Sequence, residues 1–375
     1  MKKVLLFYGS YGGGHLSAAK SLKEYIENTY PEAKIEMIDC IEYINKVLNK
    51  LTTKAYSEMA KKAPWAWKKV YYSSEKGILS KVSNFSNKLM ASKLNKCISE
   101  FEPDIIISTH PFSSQMCTIL KKKGKLNCKL ATVMTDFHIH NQWLVGSEYM
   151  DYYFVSNDQM KEDMCKKGVD VSKVLVTGIP FSQRFLQKYN KNSIINEFKL
   201  APNKFTILFF AGGEFGLGKT KTFEIFKTLV TEFSDIQVIA IAGRNVEMKN
   251  LFTDCVAENH KEDSVCVLEY TKQVPELMSI SNFVITKPGG LTTTESLVSG
   301  LPMLIINPIP GQEEQNAEFL EQSGAAVWLK KDDDVKVVLS NLLNSKEKLE
   351  YMKSKALLLA KPNSVNDICR ILFEV

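Results

Sequence analysis

Residues 283–322 read FVITKPGGLTTTESLVSGLPMLIINPIPGQEEQNAEFLEQ and contain two consecutive strand, loop and helix units. The apolar run 283–286 predicts a short strand, Gly289 and Gly290 predict a turn, and the segment TTTES predicts the start of a helix. The run Met303–Asn307 predicts the next buried strand, and a further helix follows it. Two such units in succession are typical of a doubly wound α/β domain with a parallel sheet.

Both loops of this stretch carry groups that can bind a polar ligand. Backbone amides and the positive end of the helix dipole after Gly290 attract phosphate, and the glycines allow close approach, so a diphosphate is the expected ligand. Glu295 is expected in or near the first helical turn, where its carboxylate could accept hydrogen bonds from the two hydroxyls of a ribose. The segment GQEEQN, residues 311–316, suits a polyhydroxyl ligand. The alternative is that Glu295 only complements its helix dipole and that 311–316 is a solvated first turn.

A glycine-rich loop also follows the first predicted strand. The apolar run Val4–Phe7 leads into GSYGGGH, residues 9–15, and then into helical spacing. This loop lacks the GxGxxG spacing and a ribose-binding acid about 20 residues later, so a nicotinamide dinucleotide site is disfavoured. His15 stands at the junction of loop and helix, where it would point into a cleft above the sheet edge. The alternative is a histidine that only caps or fills the turn.

Polar side chains follow two later strands of this half. Asp104–Ser108 predicts a strand that ends near His110, and Ala131–Met134 predicts one that ends near Asp136 and His140. Ligands of parallel sheets bind beyond the carboxyl ends of the strands. We therefore expect these three side chains and the histidine of the first loop to share one crevice.

The second half begins with a strand at Thr206–Ala211, followed by the glycine-rich segment GGEFGLGKT. Residues 213–220 match the Walker A pattern GxxxxGK[ST], which would indicate an NTPase if an acid on a later strand bound Mg²⁺. A glycine loop that faces a diphosphate is the other interpretation of the same residues. Two further strand ends in this half carry Arg244 and Thr271, and a helix is predicted from Val274.

The composition is that of a two-domain cytosolic protein. The chain has 375 residues, of which 45% are hydrophobic and 24% charged, and these are ordinary values for globular proteins. No apolar run approaches the roughly 20 residues that cross a bilayer, and the run after Met1 is too short for a signal peptide. Eight scattered cysteines without a CxxC pair indicate reduced, mostly buried thiols.

The positive charge is concentrated in one segment. Residues 46–96 contain 12 lysines and two acids and so carry +10, whereas the whole chain carries +6. Tryptophans and tyrosines are interleaved with these lysines, a combination that suits an anionic membrane surface, at about 1 kcal/mol per lysine. Nucleic acid is a less favoured partner because the segment has no arginine. The third interpretation is a set of helices with aromatic side chains packed inward and lysines in water.

The runs TKPGGLTTTES and GLPMLIINPIPGQEEQN resemble the nucleotide-sugar half of processive diacylglycerol glucosyltransferases and monogalactosyldiacylglycerol synthases, and more distantly the peptidoglycan glycosyltransferase MurG. The segment GGGH, the pair Thr135-Asp136 and the later His and Trp resemble the same enzymes, so the resemblance spans nearly the whole chain. It implies the GT-B fold, an α/β architecture of two Rossmann-like doubly wound domains that face each other across a cleft. The expected boundaries are 1–195 for an acceptor- and membrane-binding domain, 196–360 for a UDP-sugar-binding domain and 361–375 for a helix that returns to the first domain.

The resemblance also implies roles for individual residues. It assigns the donor ribose to Glu295 and the donor hexose to Gln312 and Glu313. The wider donor site that it implies comprises Gly212, Gly213, Gly216, Arg244, Thr271, Val274, Gly289, Gly290, Leu291, Thr292, Glu295, Gln312, Glu313 and Asn316. On the acceptor and membrane side, the resemblance indicates Gly14, His140 and Trp143, and the strand-end position adds His110. The basic, aromatic segment adds Lys61, Lys62, Trp65, Trp67, Lys68 and Lys69.

Together these features predict an inverting glycosyltransferase that moves a hexose, glucose or galactose, from a UDP-sugar to diacylglycerol, with the number of sugars left open. A histidine suits a general base at neutral pH, so His15 is the first choice, with Asp136 as its orienting partner or as the base itself. No metal or cofactor is expected besides the donor, because no DxD pair stands at a strand end. Loop amides and helix N-termini would then stabilise the leaving group.

The expected location is peripheral, at an anionic membrane surface on the cytoplasmic face of the cell membrane. The alternatives are another GT-B enzyme, either MurG-like or a UDP-sugar epimerase, and a basic nucleic-acid-binding protein. The oligomeric state stays open.

Overall fold

The computed structural model describes residues 1–10, 13–44, 63–75, 80–212 and 218–374. The chain forms two units, and each contains one six-stranded parallel sheet. The first unit comprises residues 1–182 and 361–375, and the second comprises residues 183–360. No helix among the described residues is long and apolar enough to cross a membrane.

The strands of the first unit are β1 Lys3–Tyr8, β2 Lys34–Asp39, β3 Ile105–Ser108, β4 Lys129–Val133, β5 Tyr152–Val155 and β6 Val174–Val176. Their order across the sheet is β2-β1-β3-β4-β5-β6. The chain leaves β1 toward β2 and leaves β3 toward the opposite edge. The carboxyl ends of β1 and β3 therefore form a topological switch point, the usual ligand position in such sheets.

The strands of the second unit are β7 Phe205–Phe210, β8 Ile236–Ile241, β9 Val265–Leu268, β10 Phe283–Thr286, β11 Met303–Ile305 and β12 Ala326–Trp328. Their order is β12-β11-β10-β7-β8-β9, which is the Rossmann order 3-2-1-4-5-6 read from the other edge. Its switch point lies between β7 and β10. The prediction of a doubly wound parallel sheet is confirmed in both units.

Helices connect the strands. The α-helices are α1 Gly13–Thr29, α2 Cys40–Ile44, α3 Pro64–Glu75, α4 Ser80–Phe101, α5 Pro111–Lys122, α6 Asp158–Lys166, α7 Lys191–Glu197, α8 Lys219–Glu232, α9 Val246–Glu258, α10 Val274–Ile280, α11 Gly290–Val298, α12 Gln312–Gln322, α13 Val335–Leu343, α14 Lys346–Leu359 and α15 Ser364–Glu374. Short 3-10 helices span Asn141–Trp143, Ser147–Tyr149, Val171–Lys173 and Gln183–Leu186.

Both faces of the first sheet are buried. Along β1, Leu5 and Phe7 belong to one apolar cluster, whereas Val4 and Leu6 belong to another on the opposite face. Helix α15 packs beside α1 and adds Leu372 to the second cluster. Central strands covered on both faces are continuous apolar runs, as the sequences of β1 and β3 show. All eight cysteines are free and five are buried, which confirms the prediction for the thiols.

The domain boundary differs from the sequence-based expectation. The polar segment Tyr189–Asn203 resembles a linker, and the expected boundary followed residue 195. The structure instead forms α7 within this segment and divides the units between Ser182 and Gln183. Ile194 is buried, and α7 packs against α10 of the second unit. The helix has only two apolar residues, the adjacent Ile194 and Ile195, and such a pair gives too weak a periodic signal to reveal it.

The start of α11 is also different. The Thr/Ser-rich segment indicated a helix start, but the helix begins at Gly290 with Gly289 as its N-cap. Thr294 and Ser296 donate to backbone carbonyls four residues earlier, so their hydroxyls are satisfied inside the helix and do not cap it. Glu295, expected in or near the first turn, consequently lies in the second turn, next to the first.

Candidate active site

His15 lies at the switch point of the first sheet as the third residue of α1. Its Nδ1 lies 2.5 Å from the backbone carbonyl oxygen of Thr109 and 3.0 Å from Thr135 Oγ1. A carbonyl oxygen can only accept a hydrogen bond, so Nδ1 carries the proton and Nε2 is the basic atom of the neutral ring. The Thr109 hydroxyl also donates to the His15 carbonyl at 2.9 Å. The prediction of a histidine held at the loop-to-helix junction is confirmed.

The electrostatic surroundings of His15 suit a general base. Burial lowers the pKa of His15, while the negative charge of Asp136 and the hydrogen bond to Thr109 raise it. Because burial is the largest effect, the ring is neutral at neutral pH and can accept a proton. Asp136 follows β4 and is only 7% exposed. Its charge would stabilise the imidazolium that forms when His15 accepts a proton.

Two further predicted residues surround His15. The rings of His15 and His110 meet edge to face with centroids 4.7 Å apart, and the Trp143 ring lies 6.4 Å away. A side chain at Gly9 would prevent this arrangement, because its Cβ would lie 2.9 Å from His110 Cδ2. His110 Nδ1 accepts from the backbone N–H of Phe112 and so caps α5. Burial and the neighbouring His15 lower the pKa of His110 well below its usual value, so this ring is neutral.

His140 has a different role from His15. Its Nδ1 accepts from the backbone N–H of Gln142 and caps the 3-10 helix that contains Trp143. Its ring centroid lies 4.5 Å from that of Tyr71 on α3. Tyr71 is buried, so the basic helix α3 packs onto the predicted acceptor side through this aromatic pair. His15, His110, Asp136 and His140 therefore lie at one edge of the sheet, as expected, and Gly14 lies beside His15 in α1.

Helix α3 also carries exposed side chains. Trp65 is 73% exposed, and Lys68 and Lys69 are exposed as well. The alternative in which aromatic side chains pack inward therefore fits Tyr71 but not Trp65, and the membrane contact expected for this segment stays a prediction. Lys61, Lys62 and the side chain of Trp67 lie outside the described residues.

The switch point of the second sheet brings two loops into contact. Gly212 follows β7 with a φ of +93°, and a Cβ there would lie 3.1 Å from Cε of Lys287, which follows β10. The positive φ favours glycine at this position, and the absence of a Cβ lets the lysine side chain lie close to the backbone. Gly213 and Gly216, the other predicted glycines of this loop, lie outside the described residues.

The N-terminus of α11 stands at the same switch point. Its N-cap Gly289 offers no side-chain hydrogen bond to the first turn. The amides of Gly290, Leu291 and Thr292 are the first of this helix, and such amides bind phosphate in many α/β proteins. The diphosphate site expected here stays a prediction.

Glu295 is half-buried on α11, and burial raises its pKa to about 8. The side chain is consequently protonated at neutral pH in the unliganded protein. A ligand that donates two hydroxyl hydrogen bonds would favour the carboxylate form. The helix-dipole alternative loses support, because the dipole effect decays beyond the first turn.

The GQEEQN segment is not simply a solvated turn. Glu313 Oε2 accepts from the backbone N–H of Ile309 at 2.7 Å, and Asn316 Nδ2 donates to the carbonyl of Pro288 at 3.0 Å. Asn316 is fully buried, and Gln312 is half-buried at the start of α12. The hydrogen bond from Asn316 to Pro288 joins the two loops of residues 283–322. Whether Gln312 and Glu313 bind a sugar stays a prediction.

Arg244 and Tyr270 lie close together beyond the carboxyl ends of β8 and β9. The Arg244 guanidinium lies 5.4 Å from the centroid of the Tyr270 ring, which is 61% exposed. Thr271 Oγ1 accepts from the backbone N–H of Gln273 just before α10, which begins at Val274. An exposed ring beside a guanidinium is suited to stacking against a planar base.

Sequence analysis assigned no role to three residues of these two sites: Tyr270, Lys287 and Thr135, the last of which entered only through the family resemblance. Lys287 and Tyr270 follow predicted strands directly, and this position had already identified His110. Thr135 is adjacent to Asp136. A search for polar residues just after the carboxyl end of each predicted strand was therefore sufficient to find all three. In the described ranges, no group of three or more His, Cys, Asp and Glu residues could hold a metal ion.

Comparisons with solved structures define the class of this fold. The chain matches Acinetobacter baumannii MurG with a TM-score of 0.64 at 14% identity, covering 100% of both chains. It matches a UDP-GlcNAc 2-epimerase from Neisseria meningitidis with a TM-score of 0.64 at 14% identity, again over 100% of both chains. Together with the two sheets, these matches place the chain in the GT-B fold class.

Sequence comparisons identify the family. Residues 15–181 match the monogalactosyldiacylglycerol (MGDG) synthase model, and residues 218–368 match the C-terminal domain of glycosyltransferase family 28. The processive diacylglycerol beta-glucosyltransferase of Bacillus licheniformis is 30% identical over 100% of this chain and 95% of its own length. Its counterpart in Bacillus subtilis is 31% identical over 94% and 90%, and that of Staphylococcus aureus is 31% identical over 100% and 93%. The chain belongs to the family of processive diacylglycerol beta-glucosyltransferases.

Proposed function

We propose that this protein transfers a hexose from a UDP-sugar to diacylglycerol with inversion at the anomeric carbon. The observation that carries the proposal is the orientation of His15. Its Nδ1 is bound to Thr109, so Nε2 is the atom that can take a proton from an acceptor hydroxyl. The relatives of the family, matched over their full length, supply the acceptor class, diacylglycerol.

The reaction is a single displacement in which all atoms balance. The oxygen of the diacylglycerol hydroxyl forms a bond to C1 of the sugar, and its proton passes to His15 Nε2. The bond between C1 and the β-phosphate oxygen breaks, and its electron pair leaves with UDP. Asp136 stabilises the imidazolium by charge. Glu295, at the second unit's donor site, accepts hydrogen bonds from the ribose hydroxyls.

Glucose is the donor sugar that we propose, because the curated relatives are named beta-glucosyltransferases. The same names support the processive addition of more than one sugar. Galactose, the sugar named in the family model of the first half, is the competing donor. The two sugars are epimers, so a single hydroxyl contact in the GQEEQN segment would decide between them.

Incubation of the purified protein with UDP-[¹⁴C]glucose and diacylglycerol vesicles should transfer label into the lipid extract. UDP-[¹⁴C]galactose should give much less labelled lipid under the same conditions. Thin-layer chromatography should resolve products with one and with several sugars. His15→Ala is the matched negative control, because it removes the base and keeps the donor site. Label that stays in the aqueous phase, or an epimerised nucleotide sugar, would contradict the proposal.

We further propose that α3 holds the protein at an anionic membrane surface on the cytoplasmic face. Trp65, Lys68 and Lys69 are exposed on this helix. Tyr71 of the same helix packs against His140 on the predicted acceptor side. Tryptophan and lysine side chains suit the headgroup region of a bilayer. Eight free thiols suit a reducing compartment.

Vesicle binding should require anionic lipid and should weaken as salt rises, because exposed charges are screened over about 8 Å at physiological ionic strength. Changing Lys68 and Lys69 to Gln should remove about 2 kcal/mol, or roughly 30-fold in the partition coefficient. Adding Lys61→Gln and Lys62→Gln should weaken binding further. Vesicle co-sedimentation measures these effects.

The matched control is the double change of Lys122 and Lys123, an exposed lysine pair at the end of α5, to Gln. It removes the same charge from the same unit and should change binding much less. Changing Trp65 and Trp67 to Ala should weaken binding in a salt-independent way, since insertion of an aromatic ring is not screened. Equal binding of wild-type protein to neutral and anionic vesicles at low salt would disprove the electrostatic model.

A further inference from the structure

Lys287 is a cation at the point where a doubly wound sheet binds its ligand. It follows β10 directly and precedes Pro288 and Gly289, which lead into α11. On the other side of the switch point, Gly212 follows β7, and β7 and β10 are paired neighbours. The lysine therefore belongs to the loop that presents the first amides of α11.

The side chain of Lys287 extends across the switch point. A Cβ on Gly212 would lie 3.6 Å from Nζ of Lys287, so the ammonium lies against the glycine loop that follows β7. The carboxylate of Glu313 is the neighbouring charge that raises the pKa of Lys287. One oxygen of this carboxylate already accepts from the backbone N–H of Ile309.

The ammonium of Lys287 has no hydrogen bond and no ion pair with any described residue. Burial lowers the pKa of Lys287, and the charge of Glu313 only partly opposes this effect. Lys287 is half-buried, and a cation whose pKa is lowered by burial at a strand end of such a sheet is a candidate for a functional role. Its three N–H donors and the first amides of α11 belong to the same loop region.

We propose that Lys287 binds the diphosphate of the donor and neutralises the charge that develops on the leaving group. When the bond from C1 to the β-phosphate oxygen breaks, the electron pair adds negative charge to UDP. The ammonium of Lys287 and the backbone amides of Gly290 and Leu291 stabilise that negative charge. A side-chain cation thus contributes to stabilisation of the leaving group, for which the sequence analysis proposed only loop amides and helix N-termini. This inference rests on the proposed function.

Lys287→Met and Lys287→Gln test the assignment by removing the charge while keeping a side chain of similar length. UDP affinity should fall at least about tenfold, whereas the affinity for uridine, which has no phosphate, should stay within twofold. The transfer rate should fall about 10²-fold or more, as for the loss of one group that stabilises an anionic leaving group. Lys287→Arg, which keeps the charge, should retain more UDP affinity than either.

Lys336→Met is the matched control in the same unit. Lys336 forms an ion pair with Glu232, with the Lys336 Nζ 2.5 Å from Glu232 Oε2, and neither residue is among the predicted donor residues. Its loss should leave UDP affinity and transfer unchanged. An unchanged ratio of UDP to uridine affinity in both Lys287 variants would overturn the assignment.

A measurement on wild-type protein applies even if both variants fail to fold. Acetic anhydride labelling followed by peptide mass spectrometry should show that UDP protects Lys287 and that uridine does not, with Lys336 labelled equally in both. Absence of protection by UDP would overturn the assignment. If wild-type protein binds UDP and forms no glycolipid, the proposed function fails while the UDP and uridine comparison still decides the role of Lys287.

Discussion

His15→Ala should lower the rate of transfer about 10²-fold or more, because a general base contributes roughly 10²–10⁴ to an enzymatic rate. UDP affinity should survive, since His15 lies in the first unit and the predicted nucleotide contacts lie in the second. Steady-state kinetics on diacylglycerol vesicles and calorimetry with UDP measure the two quantities. A near-wild-type rate for His15→Ala combined with inactivity of Asp136→Asn would identify Asp136 as the base and leave His15 to position the acceptor.

The pH dependence gives a second measurement of the same assignment. Burial lowers the pKa of His15, so kcat/KM should stay constant through pH 7 and fall only as the pH drops below the ordinary histidine range. The carboxylate of Asp136 raises the pKa of His15, so Asp136→Asn should move this acid limb to still lower pH as well as reduce the rate. A limb that does not move in Asp136→Asn would show that the titrating group is not His15.

Glu295→Ala should weaken UDP binding by about 1.5–3 kcal/mol, the value of hydrogen bonds to a charged acceptor. The full loss is expected only above pH 8, because burial raises the pKa of Glu295 to about 8. At pH 7 the wild-type side chain must lose its proton before it can accept both ribose hydroxyls, at a cost of about 1.4 kcal/mol per pKa unit. Calorimetry at pH 7 and pH 8.5 measures the difference.

Proton release on UDP binding distinguishes deprotonation of Glu295 from the simple loss of a contact in Glu295→Ala. UDP binding to wild-type protein at pH 7 should release protons, which is visible as a binding enthalpy that depends on the ionisation enthalpy of the buffer. Glu295→Gln should abolish the part of this release that belongs to Glu295. The same variant should stabilise the unliganded protein above pH 8, since the buried wild-type carboxylate is then charged. Equal UDP affinities of wild type and Glu295→Ala at pH 8.5 would disprove the ribose contact.

His15, the candidate base, shows which properties of a site a local sequence pattern can predict. The order of strand, glycine loop and helix located His15 correctly, since apolar runs and glycines are local signals. The tautomer could not be obtained in this way. It depends on the carbonyl of Thr109, 94 residues further along the chain. Chain segments that far apart meet only through the pairing of β1 with β3.

At the predicted donor site, too, local sequence patterns determined some properties and tertiary contacts decided the others. The sequence alone determined the alternation of strands and helices in both halves, the glycine turn before α11 and the presence of an acid after it, because hydrophobic periodicity and turn chemistry act over a few residues. Only the tertiary structure decided that Lys287 contacts the glycine loop at Gly212, that α7 belongs to the second unit and that Glu295 is protonated at neutral pH. These properties depend on strand order and on burial. Both are set by contacts between segments distant in the chain, and no local pattern of residues encodes them.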